Sequence, residues 1–111
     1  MTGISQISRD QDVVTLINVF TVAPEDQQRL VDLLVEATEK VMSKQPGYVS
    51  ANIHKSLDGT RVTNYAQWRS REDFEEIFRN SDVTVHMREA EKLAIAYEPH
   101  LYEVAFTHVT T

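Results

Sequence analysis

The strand from Asn64 to Trp68 limits the fold more than any other part of this chain of 111 residues. It lies between a turn signal and a helix start, which predicts a β-strand. Alternate residues of a strand share a face, so Asn64, Ala66 and Trp68 point one way. Tyr65 and Gln67 point the other way. A surface strand would give one of its faces to water, so we expect this strand to be covered on both sides.

A second strand, from Val13 to Val22, is also apolar on both faces. One face carries Val14, Leu16, Asn18 and Phe20, and the other carries Val13, Ile17 and Val19. This pattern predicts a strand that is buried on both sides. Residues 1–12 are polar and are expected to form a flexible N-terminal arm, followed by a single domain over residues 13–111.

The first helix is predicted to begin at Pro24 and to end before Pro46-Gly47. Two strands, 48–56 and 61–69, then flank a hairpin turn at Asp58-Gly59, where Gly59 can take a positive φ.

The second helix is predicted to start at Ser70 and to be interrupted near residues 80–82. Pro99 prevents further helix, and the alternation of Tyr102, Val104 and Phe106 predicts a last strand.

The resulting order, β-α-β-β-α-β, predicts an α+β ferredoxin-like sandwich with a four-stranded antiparallel sheet. Two helices can cover only one face of such a sheet, yet its strands are apolar on both. We therefore expect a homodimer in which two copies pack their sheets face to face, with Tyr65 and Gln67 at the contact.

The hairpin register decides which side chains share the face of Asn64. A two-residue loop pairs Ile53 with Asn64, Ala51 with Ala66, and Val49 with Trp68. A three-residue loop would instead place His54 and Asn52 on the Asn64 face. The hydrophobic pattern favours the two-residue loop.

Composition excludes several classes of function. The net charge is −6, from 17 acidic and 11 basic side chains, which predicts neither a nucleic-acid nor an anionic membrane partner. The absence of cysteine excludes disulfides, thiolate metal sites and cysteine nucleophiles. With no long apolar run and no leader pattern, the chain is expected to be soluble and cytoplasmic.

Asn64 and Trp68 are about 13 Å apart along the strand, at roughly 3.3 Å per residue. They could line opposite ends of a flat slot for a multi-ring molecule, since the indole offers a π-face and one N–H donor. Alternatively, Trp68 fills the core and Asn64 is a buried, hydrogen-bonded amide.

The chain resembles the antibiotic biosynthesis monooxygenase (ABM) family from about Val13 to His108. The resemblance is carried by Pro46-Gly47-Tyr48, the turn at residues 58–60, the Asn-Tyr-x-Gln-Trp segment at 64–68, and Ser70 with Phe74. It is strongest to the small anthrone oxygenases of aromatic polyketide pathways. It implies a dimeric α+β barrel, and oxidation of a phenolic or polycyclic, anthrone-like substrate by O2 to a quinone, without flavin, haem or metal.

The resemblance also implies site residues. Asn64 and Trp68 match a polar pair that binds substrate oxygens or a peroxy intermediate, and Arg88 matches a helix arginine. Since arginine stays protonated, charge stabilisation is the role expected for Arg88; a solvated ion pair with Glu91 is the alternative. His54 matches a histidine near the substrate, although the favoured register turns it to the dimer face.

Phe74 departs from the family pattern, because the actinorhodin-type enzymes have a proton-transferring tyrosine there. Phenylalanine cannot transfer a proton, so that role would fall to His54, His86 or water, or the chemistry differs. The alternatives are haem degradation, to which Asn18 and His86 fit but Ile77 does not, quinol or aldehyde chemistry, and a non-catalytic dimeric binding protein.

Overall fold

The computed structural model of the protein describes residues 3–110. In chain order the elements are β1 (Val14–Thr21), α1 (Gln27–Lys40), β2 (Tyr48–Lys55), β3 (Arg61–Trp68), α2 (Arg71–Glu76), α3 (Ser81–Leu93) and β4 (Ala96–Tyr102). Three short 3-10 turns complete the fold of the described residues. One precedes α1 at Pro24–Asp26, one follows α1 at Met42–Lys44, and one follows α2 at Ile77–Arg79. The strands form one antiparallel sheet in the order β2-β3-β1-β4. The predicted ferredoxin-like sandwich is thereby confirmed.

The interruption of the second helix lies where the sequence predicts it. Ser70 caps α2 by accepting a hydrogen bond from the Asp73 backbone N–H (3.0 Å). The side chain of Asn80 then accepts from the backbone N–H groups of Asp82 (2.8 Å) and Val83 (3.4 Å) and caps α3. Asn80 itself is extended, with ψ of 120°, so the chain changes direction there and begins a new helix.

The hairpin register agrees with the two-residue loop: Ile53 pairs with Asn64, and Ala51 with Ala66. At its far end the predicted pairing of Val49 with Trp68 is wrong, because a β-bulge lies between Tyr48 and Ser50. Tyr48 pairs with Trp68 instead, and Val49 is 42% exposed. The bulge inserts one unpaired residue and so shifts the alternation of β2 at its start.

The last strand lies further upstream than the alternation of Tyr102, Val104 and Phe106 predicts. β4 pairs with β1 from Ala96, opposite Thr21, to Tyr102, opposite Thr15. β1 begins one residue before Thr15, so no partner backbone is left for Val104 and Phe106. Pro99 fits inside this strand because β4 is at the edge of the sheet, where a missing N–H donor is tolerated.

Helices α1 and α3 pack on one face of the sheet, here called the inner face. The core consists of apolar side chains from this face and from the helices. Its buried members are Leu16, Phe20, Val22, Leu30, Ala37, Val62, Ala66, Trp68, Ile77, Val83 and Ala90. Within residues 3–110, no helix has both the length and the apolar character needed to cross a bilayer.

The N-terminal residues contact the opposite, outer face. The Gln67 side chain donates to the Gln6 carbonyl (2.8 Å) and accepts from the Ser50 hydroxyl (2.8 Å), and it is 1% exposed. Ser5 donates to the Asn52 side chain (2.7 Å). Part of the arm at residues 1–12 is thus tied to the sheet, and Gln67 is already covered within one chain.

Candidate functional site

A cavity of 360 Å³ lies between the inner face of the sheet and the helices. Most of its wall is apolar or aromatic, which suits a flat hydrophobic ligand. The polar or ionisable side chains in the wall are Asn18, Thr38, Tyr48, Asn64, Trp68, His86, Glu91, Tyr97 and His100. Every strand of the sheet contributes to the cavity, as do α1, α2 and α3.

Three polar atoms in this wall are buried and have no hydrogen-bond partner among the described residues: Asn18 Oδ1, Asn64 Oδ1 and Trp68 Nε1. Asn18 on β1 pairs directly with Asn64 on β3, and both face the cavity. The Cβ atoms of such a pair are roughly 5 Å apart, so the two amides are neighbours. Leaving such groups unpaired costs about 1–3 kcal/mol each, which suggests that a ligand satisfies them.

Aromatic rings hold the indole of Trp68 in place. Tyr48 lies edge-on to it at 5.7 Å between ring centroids, and Phe74 lies edge-on at 6.0 Å. Phe78 extends the cluster through a 5.3 Å contact with Phe74. Edge-to-face packing of this kind fixes ring orientation, so the indole N–H has a defined direction. Burial raises the pKa of the Tyr48 hydroxyl, which therefore stays protonated at neutral pH.

His86 reaches the cavity from α3. Its Nδ1 lies 2.7 Å from the carbonyl oxygen of Asp82, one helical turn earlier. A carbonyl oxygen can only accept a hydrogen bond, so Nδ1 carries the proton of the neutral ring and Nε2 keeps its lone pair. His86 can thus accept a hydrogen bond or a proton from a molecule in the cavity.

The sequence model of a family described as "Antibiotic biosynthesis monooxygenase" matches residues 13–90. The chain belongs to this ABM family. The match begins just before β1 and ends within α3, so it contains most of the residues that line the cavity.

Two individual ABM relatives are informative. Over 68 residues the chain is 56% identical to tetracenomycin-F1 monooxygenase of Streptomyces glaucescens, an alignment that spans 61% of each protein. The crystal structure of a monooxygenase from the gene ActVA-Orf6 of Streptomyces coelicolor, solved with the ligand nanaomycin D, has a TM-score of 0.77 and 26% identity. That match covers 89% of this chain and 93% of the other.

A third relative shares the fold. SnoaB of Streptomyces nogalater, a cofactor-independent oxygenase, has a TM-score of 0.72 and 23% identity, over 87% of this chain and 97% of its own. These similarities agree with the ABM resemblance of the sequence.

The fold brings four of the predicted site residues together. Asn64, Trp68, Phe74 and His86 all line the cavity, although they come from β3, α2 and α3. Since the cavity holds both the amide and the indole of the ABM segment, it is the candidate active site.

The fold does not bring His54 or Arg88 to the cavity. His54 pairs with Thr63, so it lies on the outer face, where it is exposed. Arg88 is exposed on α3 and does not line the cavity. The alternative for Arg88, an ion pair with Glu91, is not formed in residues 3–110, where Glu91 lines the cavity instead. The roles expected for His54 and Arg88 stay predictions that a single chain does not explain.

The sequence predicts a role for Asn18 only in the haem-degrading alternative, and it predicts no role for Tyr48 at the site. Asn18 could have been recognised as a polar residue on the same strand face as Leu16 and Phe20. The position of Tyr48 depends on the β2 bulge, for which the sequence has no clear signal. The described residues contain no group of three or more histidines or acidic side chains arranged for a metal ion.

Proposed function

We propose that this protein is a cofactor-independent monooxygenase that oxidises a phenolic, polycyclic, anthrone-like substrate with O2 to a quinone. The observation that carries this proposal is the pair of unpartnered groups, the Asn64 amide and the Trp68 indole N–H, in an aromatic cavity. Identity of 56% to a tetracenomycin-F1 monooxygenase over the matched region supports it. The chain spans 61% of that relative's length, so the activity of the whole relative is part of the proposal.

The chemistry balances without an added reductant. The reacting ring carbon of an anthrone is a methylene group, and loss of one proton gives an electron-rich carbanion conjugated with the phenolic rings. The carbanion gives electrons to O2 and forms a carbon–oxygen bond, and protonation yields a hydroperoxide. Cleavage of the O–O bond with loss of the second C–H proton gives the quinone carbonyl and water. One oxygen atom enters the product and one leaves as water.

The cavity side chains supply binding and charge stabilisation. The two amide oxygens, Asn18 Oδ1 and Asn64 Oδ1, accept hydrogen bonds from phenolic hydroxyl groups. The Trp68 N–H donates to the oxygen on which negative charge develops, where a dry wall strengthens the interaction. His86 and Phe74 contact the rings, whereas His54 and Arg88 do not line the cavity of a single chain and are given no step in it.

The proposal includes a homodimer formed through the outer face. Ile17, Val19 and Tyr65 lie on this face and are only half-buried in one chain. Packing a second sheet against them would remove this apolar area from water.

Light scattering tests the dimer. It should give twice the 12.7 kDa chain mass for the parent protein, and the mass of a single chain for Ile17→Lys. Leu57→Lys is the control, since Leu57 is 106% exposed in the hairpin loop. A monomeric parent protein would contradict the dimer.

Oxygen uptake and isotope labelling test the activity. Chelator-treated, flavin-free protein is mixed with dithranol, an anthrone, and the product is analysed by mass spectrometry under ¹⁸O2. We expect uptake above the buffer rate, one ¹⁸O atom in each quinone, and no release of O2 on adding catalase. Asn64→Ala should lower turnover strongly, and Leu57→Ala should not.

Two outcomes would contradict the proposal. Uptake equal to that of buffer for a panel of anthrones and hydroquinones would remove the oxygenase activity. Formation of H2O2 with an unlabelled product would indicate an oxidase instead. Adding haem and recording the Soret band tests the alternative within the fold, and a shift there, without anthrone oxidation, would favour haem chemistry.

A further inference from the structure

The proposed reaction needs a base inside the cavity, because it begins with loss of a proton from the substrate. Phe74 cannot accept a proton. Neither can the unpartnered groups nearby, since amide oxygens are very weak bases and the indole N–H is only a donor. The protein groups that could serve as this base are the ionisable side chains of the wall, which are Tyr48, His86, Glu91, Tyr97 and His100.

We infer that His86 is this base, and that its Nε2 takes the first proton from the substrate. The inference rests on the proposed function and assigns a catalytic role within the same site. The hydrogen bond from Nδ1 to the Asp82 carbonyl fixes the neutral tautomer whose Nε2 lone pair is free. The same bond remains satisfied after proton uptake, because both ring nitrogens of the imidazolium are donors.

The other ionisable groups of the wall are less suited to this role. The side chain of His100 is 57% exposed and its partner Glu98 is 76% exposed, so the His100 ring lies largely in water. Tyr48 is kept as a neutral phenol by burial, which raises its pKa, so it donates rather than accepts. Glu91 and Tyr97 also line the cavity, but a carboxylate is by nature a weaker base than an imidazole, and a phenol is by nature a proton donor near neutral pH.

The proton step balances within the site. The C–H bond of the substrate breaks, its electron pair stays on the ring carbon, and the proton forms an N–H bond on His86 Nε2. The result is an anion paired with an imidazolium in a largely apolar cavity, where the attraction between them is stronger than in water. After O2 has added, the same proton passes from Nε2 to the peroxide oxygen and restores the neutral ring.

An anaerobic titration tests this step without turnover. Dithranol changes its absorbance when it ionises, so the pH at which half of the bound dithranol is the anion can be measured. Wild-type protein should lower this pH by at least one unit relative to dithranol in buffer, and His86→Gln should abolish the shift while still binding dithranol. His108→Gln is the control, because His108 is exposed near the C-terminus.

Turnover gives a second readout. His86→Gln should lower kcat with dithranol about 100-fold, the lower range for a general base, with KM changed much less. The wild-type rate should fall as the pH is lowered, and this acidic limb of the pH–rate profile should be absent in His86→Gln. In Glu91→Gln and His100→Gln the rate should still fall at low pH as it does in wild type.

Each result has one interpretation. An unchanged ionisation shift and unchanged rate in His86→Gln would overturn the inference, as would loss of the acidic limb in Glu91→Gln or His100→Gln instead. Wild-type protein that ionises dithranol through His86 but consumes no O2 would retain the inference and remove the monooxygenase. Wild-type protein that consumes O2 with no ionisation shift would retain the monooxygenase and remove the base.

Discussion

Asn18 lies directly opposite Asn64 in the pairing of β1 with β3, both residues line the cavity, and each has a buried amide oxygen with no hydrogen-bond partner among the described residues. Two polar side chains thus lie side by side on the inner face, at positions that apolar side chains could occupy. Folding gains nothing from this arrangement, because a buried acceptor without a donor loses its bond to water. We therefore expect a bound ligand to donate hydrogen bonds to these two oxygens and to offset the free-energy cost of burying them.

Asn18→Leu should separate stability from function. The substitution keeps the branching and the number of side-chain heavy atoms and removes the unpartnered oxygen, so the free energy of unfolding should rise by about 1 kcal/mol. Turnover with an anthrone should fall. Urea unfolding and oxygen uptake are the measurements. Asn52→Leu is the matched control: its amide donates to the Tyr65 carbonyl (3.3 Å) and accepts from Ser5, so that variant should be destabilised. A destabilised Asn18→Leu would show that the amide is needed for folding.

Trp68→Phe should lower kcat while leaving substrate affinity close to wild type. Phenylalanine keeps the edge-on contacts with Tyr48 and Phe74 but removes the indole N–H. Loss of one donor that stabilises a developing oxyanion costs about 100-fold in kcat. Steady-state kinetics with dithranol measure kcat and KM separately. If KM rises while kcat is unchanged, the indole binds the substrate without stabilising the anion.

Gly47→Ala should destabilise the fold by more than 2 kcal/mol. Gly47 has φ of +84°, and an added Cβ would lie 2.5 Å from the Cβ of Asp73. The left-handed backbone alone costs a non-glycine residue about 1–2 kcal/mol, and displacing Asp73 also disturbs the cap of α2.

Gly59→Ala is the control for Gly47→Ala in the same urea titration. Gly59 has φ of +81°, but its added Cβ would meet only the Cβ of Pro24, at 3.6 Å. The difference between the losses of unfolding free energy in the two variants therefore measures the cost of the clash between the added Cβ and Asp73. Equal losses would mean that Asp73 moves without cost.

Asp58 should contribute stability that is lost only in strong acid. Hydrogen bonds from the Ser56 hydroxyl and then from Thr60 lower the pKa of its carboxyl to about 2. An ordinary Asp titrates near 3.9, so the folded state favours the carboxylate. This stabilisation is complete above the unfolded pKa and disappears as the pH falls through about 2.

Two measurements check the Asp58 prediction. The unfolding free energy of wild type minus that of Asp58→Asn should be constant from pH 7 to about pH 5 and should shrink below about pH 4. An NMR titration should show the Asp58 pKa rising in Ser56→Ala, because the Ser56 hydroxyl is the largest cause of its lowering. A pKa unchanged in Ser56→Ala would contradict the assigned cause.

Much of this fold can be predicted from sequence because its signals are local. Pro24, the Asp58-Gly59 turn and the caps at Ser70 and Asn80 each fix an element boundary through groups only a few residues apart. The hydrophobic alternation then sets the hairpin register. The end of β4 could not be predicted, since it depends on where β1 begins.

The site is less predictable from the sequence, because most of its residues come together through contacts between distant segments. Asn64 and Trp68 lie on one strand, so their shared face follows from alternation alone. Asn18 and His86 reach the cavity only through pairing and packing between distant segments. The family resemblance pointed to His54 and Arg88, which depend on surroundings that a single chain does not contain.

The bulge at Val49 reverses the alternation of β2 beside the cavity. Without it, Tyr48 would share the outer face with Ser50; with it, Tyr48 lies beside Trp68 on the inner face. A residue that the regular alternation of β2 would leave outside the core is in this way made part of the pocket wall.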